Sequence, residues 1–525
     1  TLLDDTGALR YNPSSGTLLI PAVTLSGNAD FNGDLDVDGT SNLDALDVDG
    51  ATNFAADVTF ADGADIITAS AGTSNTRIGV NTGNSIASGG NYNVVIGDEA
   101  GTALTTGDNN VAIGYAALDA EDTGSRSTAV GYGTLGAQNN DANNDNTAVG
   151  YNAGTTISTG TNNTIMGAFA GDALSDADFN VVMGVSTMGV DTKGNKSTAI
   201  GYAALGSQNF TSSTDTHNVA VGSNCMYGNV TGLRNSAIGS TTLDASTASD
   251  NTALGYAAGG AIVGGTRNVT IGSIAGDKFT SGTDNVIIGY DAFGLAETDC
   301  SGNTIIGSFA ANDVSSNGDN NTVLGYNALA SSENDTQGTT AIGMNAGASQ
   351  GNNCSNNTYL GFEAGSDANS PGGNPADTDN SFYLGNENVV EAHIQVDWNV
   401  ASDKRDKTDV EPLKTGLDFV NKLEPVTYRW DKRSNYTDRK PTGEHKEDKL
   451  DVGFLAQDVE KLEAEYNYSM ENNTNLTTFI GNDKGIKDGN YGLKYSKFVP
   501  SLVKAVQELS AKVEELENNK CKCKE

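Results

Sequence analysis

From residue 75 to 385 the chain repeats one pattern of polar and apolar positions: Asn, then Thr or Val, a variable residue, an aliphatic, Gly, two further residues and a small residue. Asn110-Val111-Ala112-Ile113-Gly114-Tyr115-Ala116-Ala117 and Asn321-Thr322-Val323-Leu324-Gly325-Tyr326-Asn327-Ala328 are two copies. The motif Gly falls at 79, 97, 114, 131, 150, 167, 184, 201, 222, 239, 255, 272, 289, 307, 325, 343, 361 and 385, eighteen copies usually 17 or 18 residues apart. So short a period, with one alternating β-type stretch and one Gly turn per copy, predicts a mainly β chain: an elongated β-solenoid or β-roll with about one rung per copy. At ~4.8 Å per rung, eighteen copies give a rod of roughly 85 Å.

Each motif position has a physical role. The aliphatic before Gly (Ile78, Ile96, Ile113, Val130 and so on to Leu384) is expected to fill an inward-facing stack. Gly permits the positive φ of a tight corner, and the small residue three later, Ala in twelve copies, permits close backbone approach. Asn opens fourteen copies, where amides in register bond from rung to rung. An aromatic follows the motif Gly at Tyr115, Tyr132, Tyr151, Tyr202, Tyr256, Tyr290, Tyr326 and Phe362. Such a column either stiffens the shaft or offers a ladder to sugar rings. The longer spacings, 131 to 150, 201 to 222 and 361 to 385, carry loop insertions, where a fibre would contact a partner. A core this thin leaves apolar strips and strand edges that three chains side by side would hide, so a homotrimer is expected.

The repeat divides the chain into residues 1–70, an N-terminal β-repeat segment; 71–390, the shaft; 391–401, a junction strand including His393 to Trp398; and 402–525, a small α+β domain. The first segment holds an 11-residue repeat, Leu35-Asp36-Val37-Asp38-Gly39 and then Leu46-Asp47-Val48-Asp49-Gly50. Asp34, Asp36, Asp38 and Gly39 share the spacing of a calcium loop, but its twelfth position is Ala45, so no metal is expected there. In the tail, Leu413 to Leu423 has helical spacing, Pro425 to Trp430 reads as a strand, and Phe454 to Glu460 opens another helix. Leu502, Val506, Leu509, Val513 and Leu516 alternate steps of four and three, a heptad seam with Val at a and Leu at d that wants partner helices, and in the expected homotrimer it is the trimerisation helix.

Charge sharpens the boundary near residue 400. The first 401 residues hold 8 Lys+Arg against 43 Asp+Glu, and the last 124 hold 22 against 24. The net charge of −37 argues against nucleic acid and anionic membrane as partners. There is no apolar run of 18 or more residues, so no membrane insertion is expected. Without an initiator Met or basic start, further chain is expected upstream of Thr1. The five cysteines form no paired framework, and His217, His393 and His445 form no metal or triad spacing, so no cofactor or metal is expected.

Four tail motifs occur in order: Ser402-Asp403-Lys404-Arg405-Asp406-Lys407-Thr408-Asp409, Leu423-Glu424-Pro425-Val426-Thr427-Tyr428, Val452-Gly453-Phe454-Leu455-Ala456-Gln457-Asp458-Val459, and Tyr495-Ser496-Lys497-Phe498-Val499-Pro500-Ser501-Leu502-Val503-Lys504-Ala505. Together they resemble the C-terminal intramolecular chaperone of phage tail fibres and tailspikes, the endosialidase-type self-cleaving peptidase. The resemblance implies a trimeric domain that helps the preceding fibre fold and then cuts before its serine. It implies Ser402 as nucleophile, Lys407 as general base and Ala401–Ser402 as scissile bond. Asp406 stands where many relatives carry an apolar residue. A lysine free of much of its hydration serves as base without any His. Five residues of helix separate side chains by about 140°, so the pair needs a turn or a neighbouring chain.

The function this predicts is a phage tail fibre: a trimeric rod in the virion tail, assembled in host cytoplasm, joined to other tail proteins upstream and attaching to a host receptor that is expected to be a glycan. The alternatives are a tailspike depolymerase, which needs paired carboxylates facing a groove, and a trimeric bacterial adhesin, which would end in a membrane-spanning β-anchor.

Overall fold

The computed structural model describes residues 10–12, 17–19, 71–295, 299–314, 318–331, 336–351, 353–366, 379–389, 391–395, 400–468, 477–480 and 490–522. The chain forms two compact units, Thr1–Ile66 and Ile67–Glu525. In the first, Arg10–Asn12 pairs antiparallel with Thr17–Leu19. The 11-residue repeat and the Asp34–Gly39 stretch lie outside the described residues.

The second unit is built on a column of parallel three-residue strands, eighteen among the described residues, from Thr76–Ile78 to Phe382–Leu384. Each strand pairs with the equivalent strand of the next copy: Val286 with Thr304, Ile287 with Ile305, Ile288 with Ile306. Sequence copy and structural rung therefore coincide, and the chain forms a β-solenoid. No described pairing joins the first strand to the last, so the column is open with two ends.

The strands face the opposite way from the sequence expectation. The middle residue is buried in nearly every rung, as with Val95, Ala112, Ala129, Val182, Ile287 and Val323. The aliphatic before Gly points outward, with Ile238 48%, Leu254 45% and Leu324 46% exposed. The reason is the two-residue period of a strand. The motif Asn is buried, so the residue two later is buried with it and the aliphatic three later lies on the other face.

The space left by a small middle residue is filled from the turns. Many rungs supply one large apolar side chain at one of two alternative positions. In some it is the fourth residue after the motif Gly, as with Leu118, Leu135, Met188, Leu205 and Leu243. In others it is the seventh, as with Leu104, Ile157, Leu174, Ile262 and Phe279. In these the fourth residue is Gly, and a Cβ on Gly171 or Gly259 would lie 2.8 Å from Leu174 or Ile262.

The Asn residues, present in fourteen of the eighteen copies, form an internal ladder. The backbone N of Asn285 donates to Oδ1 of Asn268 at 3.1 Å, and Asn268 repeats this toward Asn251 at 3.0 Å. Each Nδ2 also donates to a carbonyl of its own rung's far corner, Asn268 to Gly282 O and Asn110 to Gly124 O. Where Ser127 and Ser197 replace Asn, a buried Gln repairs the ladder. Gln138 Nε2 donates to Ser127 Oγ at 2.7 Å while its Oε1 accepts from Asn146, and Gln208 does the same for Ser197 and Asn218. Two buried carboxylates complete these repairs, Glu121 accepting from Gln138 and Asn144, and Asp191 from Gln208. Burial pushes the Glu121 carboxyl above its ordinary range.

At the motif Gly, φ lies between +116° and +146° in every rung but the last. A Cβ on Gly255 would lie 2.4 Å from the carbonyl of Gly272, so both backbone angle and close approach require glycine. The buried Ala three later is as expected, and where Thr replaces it the hydroxyl donates to the next rung's Gly carbonyl, Thr134 to Gly150 at 2.6 Å. The ends differ from the interior. Arg77 takes the middle position of the first strand and bonds Thr82 O, while Tyr359 and Tyr383 stack at 5.0 Å in the last two.

Beyond the shaft, residues 391–395 form no strand, and 396–399 lie outside the described residues. The tail holds α1 (Leu417–Lys422), α2 (Ala456–Glu465) and α3 (Phe498–Lys522). Two antiparallel pairs accompany them, Val426–Tyr428 with Asp451–Gly453 and Thr477–Ile480 with Asn490–Leu493. Phe419, Val459, Leu462 and Phe498 make its core. The expected helix from Leu413 begins only at Leu417, because Gly416 and the residues before it run outside helical geometry.

Replacing Asn268 with Ala is expected to cost about 2 kcal/mol or more by stranding the Asn285 N–H and the Gly282 carbonyl. Amide hydrogen exchange should rise in the rungs from Thr252 to Ile288 and stay unchanged at Val94–Ile96.

Candidate functional site

Ser402 precedes a single 3-10 turn, Lys404–Asp406, and Lys407 closes it. Asp403 caps the turn: its Oδ1 accepts from Arg405 N at 2.8 Å, and its Oδ2 accepts from Arg405 Nη2 at 2.6 Å. The Arg405 guanidinium holds the Asp403 carboxyl below the usual carboxylate range. The backbone N–H groups of Asp406 and Lys407 donate to Asp403 O and Lys404 O, both at 3.3 Å. Lys407 itself is extended, with φ −121° and ψ 133°. This turn and extension bring Lys407 Nζ to 2.5 Å from Ser402 Oγ.

A hydroxyl bonded to an amine is the minimal arrangement for a serine nucleophile with a lysine base. Residues 401–412 are all exposed, so the single chain holds the pair at its surface and through local bonds. Proton acceptance requires the neutral amine, a form favoured by dry surroundings.

The aromatic positions after the motif Gly fall into separate stacks. Tyr115, Tyr132 and Tyr151 stack at 5.2 and 5.1 Å with interplanar angles of 18° and 11°, and Phe169 meets Tyr151 edge-on. Tyr290, Phe309 and Tyr326 continue edge to face at 5.3 and 6.0 Å. Phe169 and Phe309 come from one position later in their rungs, which the simple motif does not reveal. Both faces of Tyr132 are covered by its neighbours, whereas stacking on a sugar needs an open face. Tyr202, Tyr256 and Phe362 stand exposed outside these stacks.

The seam of α3 is also uncovered in the single chain, with Leu502, Val506, Leu509, Val513 and Leu516 all exposed. The other side of α3 holds the tail together. Glu508 accepts from the Leu417 N–H at 2.8 Å, satisfying the start of α1, and Ser501 and Thr415 share a buried hydroxyl bond at 2.7 Å. These partners, 91 and 86 residues apart, carry no local sequence signal.

Residues 402–467 match the family described as chaperone of endosialidase. The match begins at Ser402 and contains Lys407, α1 and α2. No curated protein and no solved structure matches the chain. The chain thus carries a chaperone-of-endosialidase domain behind a β-solenoid shaft.

The stacked rings make a stability prediction. Tyr132→Ala removes two ring contacts and is expected to lower shaft stability by roughly 1–3 kcal/mol. Tyr202→Ala should stay within about 0.5 kcal/mol. Thermal unfolding followed by circular dichroism compares the two.

Proposed function

We propose that the chain is a subunit of a trimeric phage tail fibre or tailspike, whose tail domain promotes assembly and then frees itself by one cut between Ala401 and Ser402. The contact between Ser402 Oγ and Lys407 Nζ, at the start of the matched domain, carries this reading. Ser402 Oγ attacks the Ala401 carbonyl carbon while Lys407 takes the hydroxyl proton. The peptide C–N bond breaks as an ester C–O bond forms, and Lys407 returns the proton to the departing Ser402 amine. Water then cleaves the ester, leaving a carboxylate on Ala401 and the free hydroxyl on Ser402. The shaft remains in the virion tail and attaches it to the host cell.

Exposure of the pair suits a single-turnover enzyme controlled by assembly. Trimerisation through α3 would cover the turn with neighbouring chains and remove water from Lys407, so cutting follows association. The inserted loops at 139–144 and 209–217, with the unstacked Tyr202 and Tyr256, are the surfaces we assign to the host receptor.

Intact mass measurement should give a fragment beginning at Ser402 from the unaltered chain, and full-length chain alone from Ser402→Ala and Lys407→Ala. Full-length chain throughout would overturn the catalytic roles. Asp403→Ala should slow cutting roughly fivefold through loss of the cap, and Asp403→Asn, which keeps an acceptor for Arg405 N, should restore most of the rate. Leu509→Asp with Leu516→Asp should abolish both the trimer in sedimentation and the cut, although neither residue touches the pair.

A further inference from the structure

The first and third residues of every shaft strand share the outward face. Across eighteen strands these thirty-six positions are Thr, Val, Ser, Phe, Ile, Leu or Met, and none is charged. The first 401 residues carry 8 Lys+Arg and 43 Asp+Glu, a net charge of −35, so an uncharged lane along the full shaft belongs to the pattern and not to the composition. The third position is always aliphatic, giving an exposed row through Met166, Ile238, Leu254, Leu324, Leu360 and Leu384. The exposed row five residues before the motif Gly, by contrast, carries charge, as in the alternating Arg234, Asp250, Arg267 and Asp284.

We propose that this lane is where the shafts of two further copies of this chain pack, parallel and in rung register. The inference rests on the trimeric-fibre reading and adds the surface and alignment. A band about 10 Å wide, three residues at ~3.3 Å each, and roughly 85 Å long offers on the order of 850 Å² per chain. Each chain divides this between two neighbours, so three shafts bury on the order of 2,550 Å² together, about 850 Å² in each pairwise contact, and the α3 seams add to it. A second copy is the occupant whose own surface repeats at the same rung spacing, so the rows interdigitate along the whole length. The uncovered seam of α3 lies toward the C-terminal end of the same chain, and joining three such helices brings the C-termini together. The shafts must then run parallel.

Cross-linking of the full chain tests this. In a background carrying Cys521→Ser and Cys523→Ser, Leu254→Cys places a thiol in the lane. Val263→Cys places one at an exposed position half a rung away. A short bismaleimide should join copies through position 254 and not through 263. A trimer in sedimentation that cross-links at 263 and not at 254 overturns the lane while leaving the fibre reading intact. A monomer in sedimentation overturns both. As a second measurement, Ile238→Glu with Leu254→Glu and Ile271→Glu should leave the released shaft monomeric with its β spectrum retained. The single Val263→Glu should leave it trimeric, and a trimeric triple variant would contradict the proposal.

Discussion

The internal Asn ladder is the constraint on which the shaft depends. A solenoid rung must satisfy its corner backbone groups away from water, and an unpaired buried N–H or C=O costs about 1–3 kcal/mol. In fourteen rungs one Asn meets two such needs, accepting from the next rung's N–H and donating to a corner carbonyl, as Asn268 does. Because its side chain must point inward, the Asn also fixes the phase of the strand that follows. The outward lane of aliphatics is a consequence of that phase. Where Ser127 and Ser197 stand in place of Asn, Gln138 and Gln208 reach in, and the buried carboxylates of Glu121 and Asp191 follow as their partners.

Much of this architecture is legible in the chain. The period, the motif Gly, the small residue three later and the Asn ladder each answer to a local rule, and each lies where that rule puts it. The aliphatic before Gly, expected inside and found outside, shows that hydrophobic size is a poor guide when both faces of a strand are apolar. Ala112 or Ala237 contributes little apolar surface beside Ile113 or Ile238, yet the narrow interior accepts the alanine and takes its bulk from Leu118 or Leu243 in the turn. That exchange between the fourth and seventh positions is visible in the sequence once the interior is known, because a glycine such as Gly171 or Gly259 stands three residues before the apolar seventh residue.

At the tail, motif order locates Ser402 and Lys407, and the impossibility of a helical meeting points to a turn. The turn's cap, Asp403 with Arg405, is local and readable in retrospect. The bonds that hold α1 on α3, through Glu508 and Ser501, span too much sequence for any local pattern to announce them. A functional logic joins the two parts. The shaft leaves its apolar lane uncovered, the tail leaves its α3 seam and the Ser402–Lys407 pair uncovered, and under the proposed function one association event would bury all three.

Cryo-electron microscopy of the intact Ser402→Ala protein tests that claim most directly. The account predicts three parallel shafts in rung register, with Ile238, Leu254 and their equivalents on the shared axis and the turn from Asp403 to Lys407 covered by a neighbouring chain. A single shaft with its aliphatic lane in water, or three shafts meeting through another face, would contradict it.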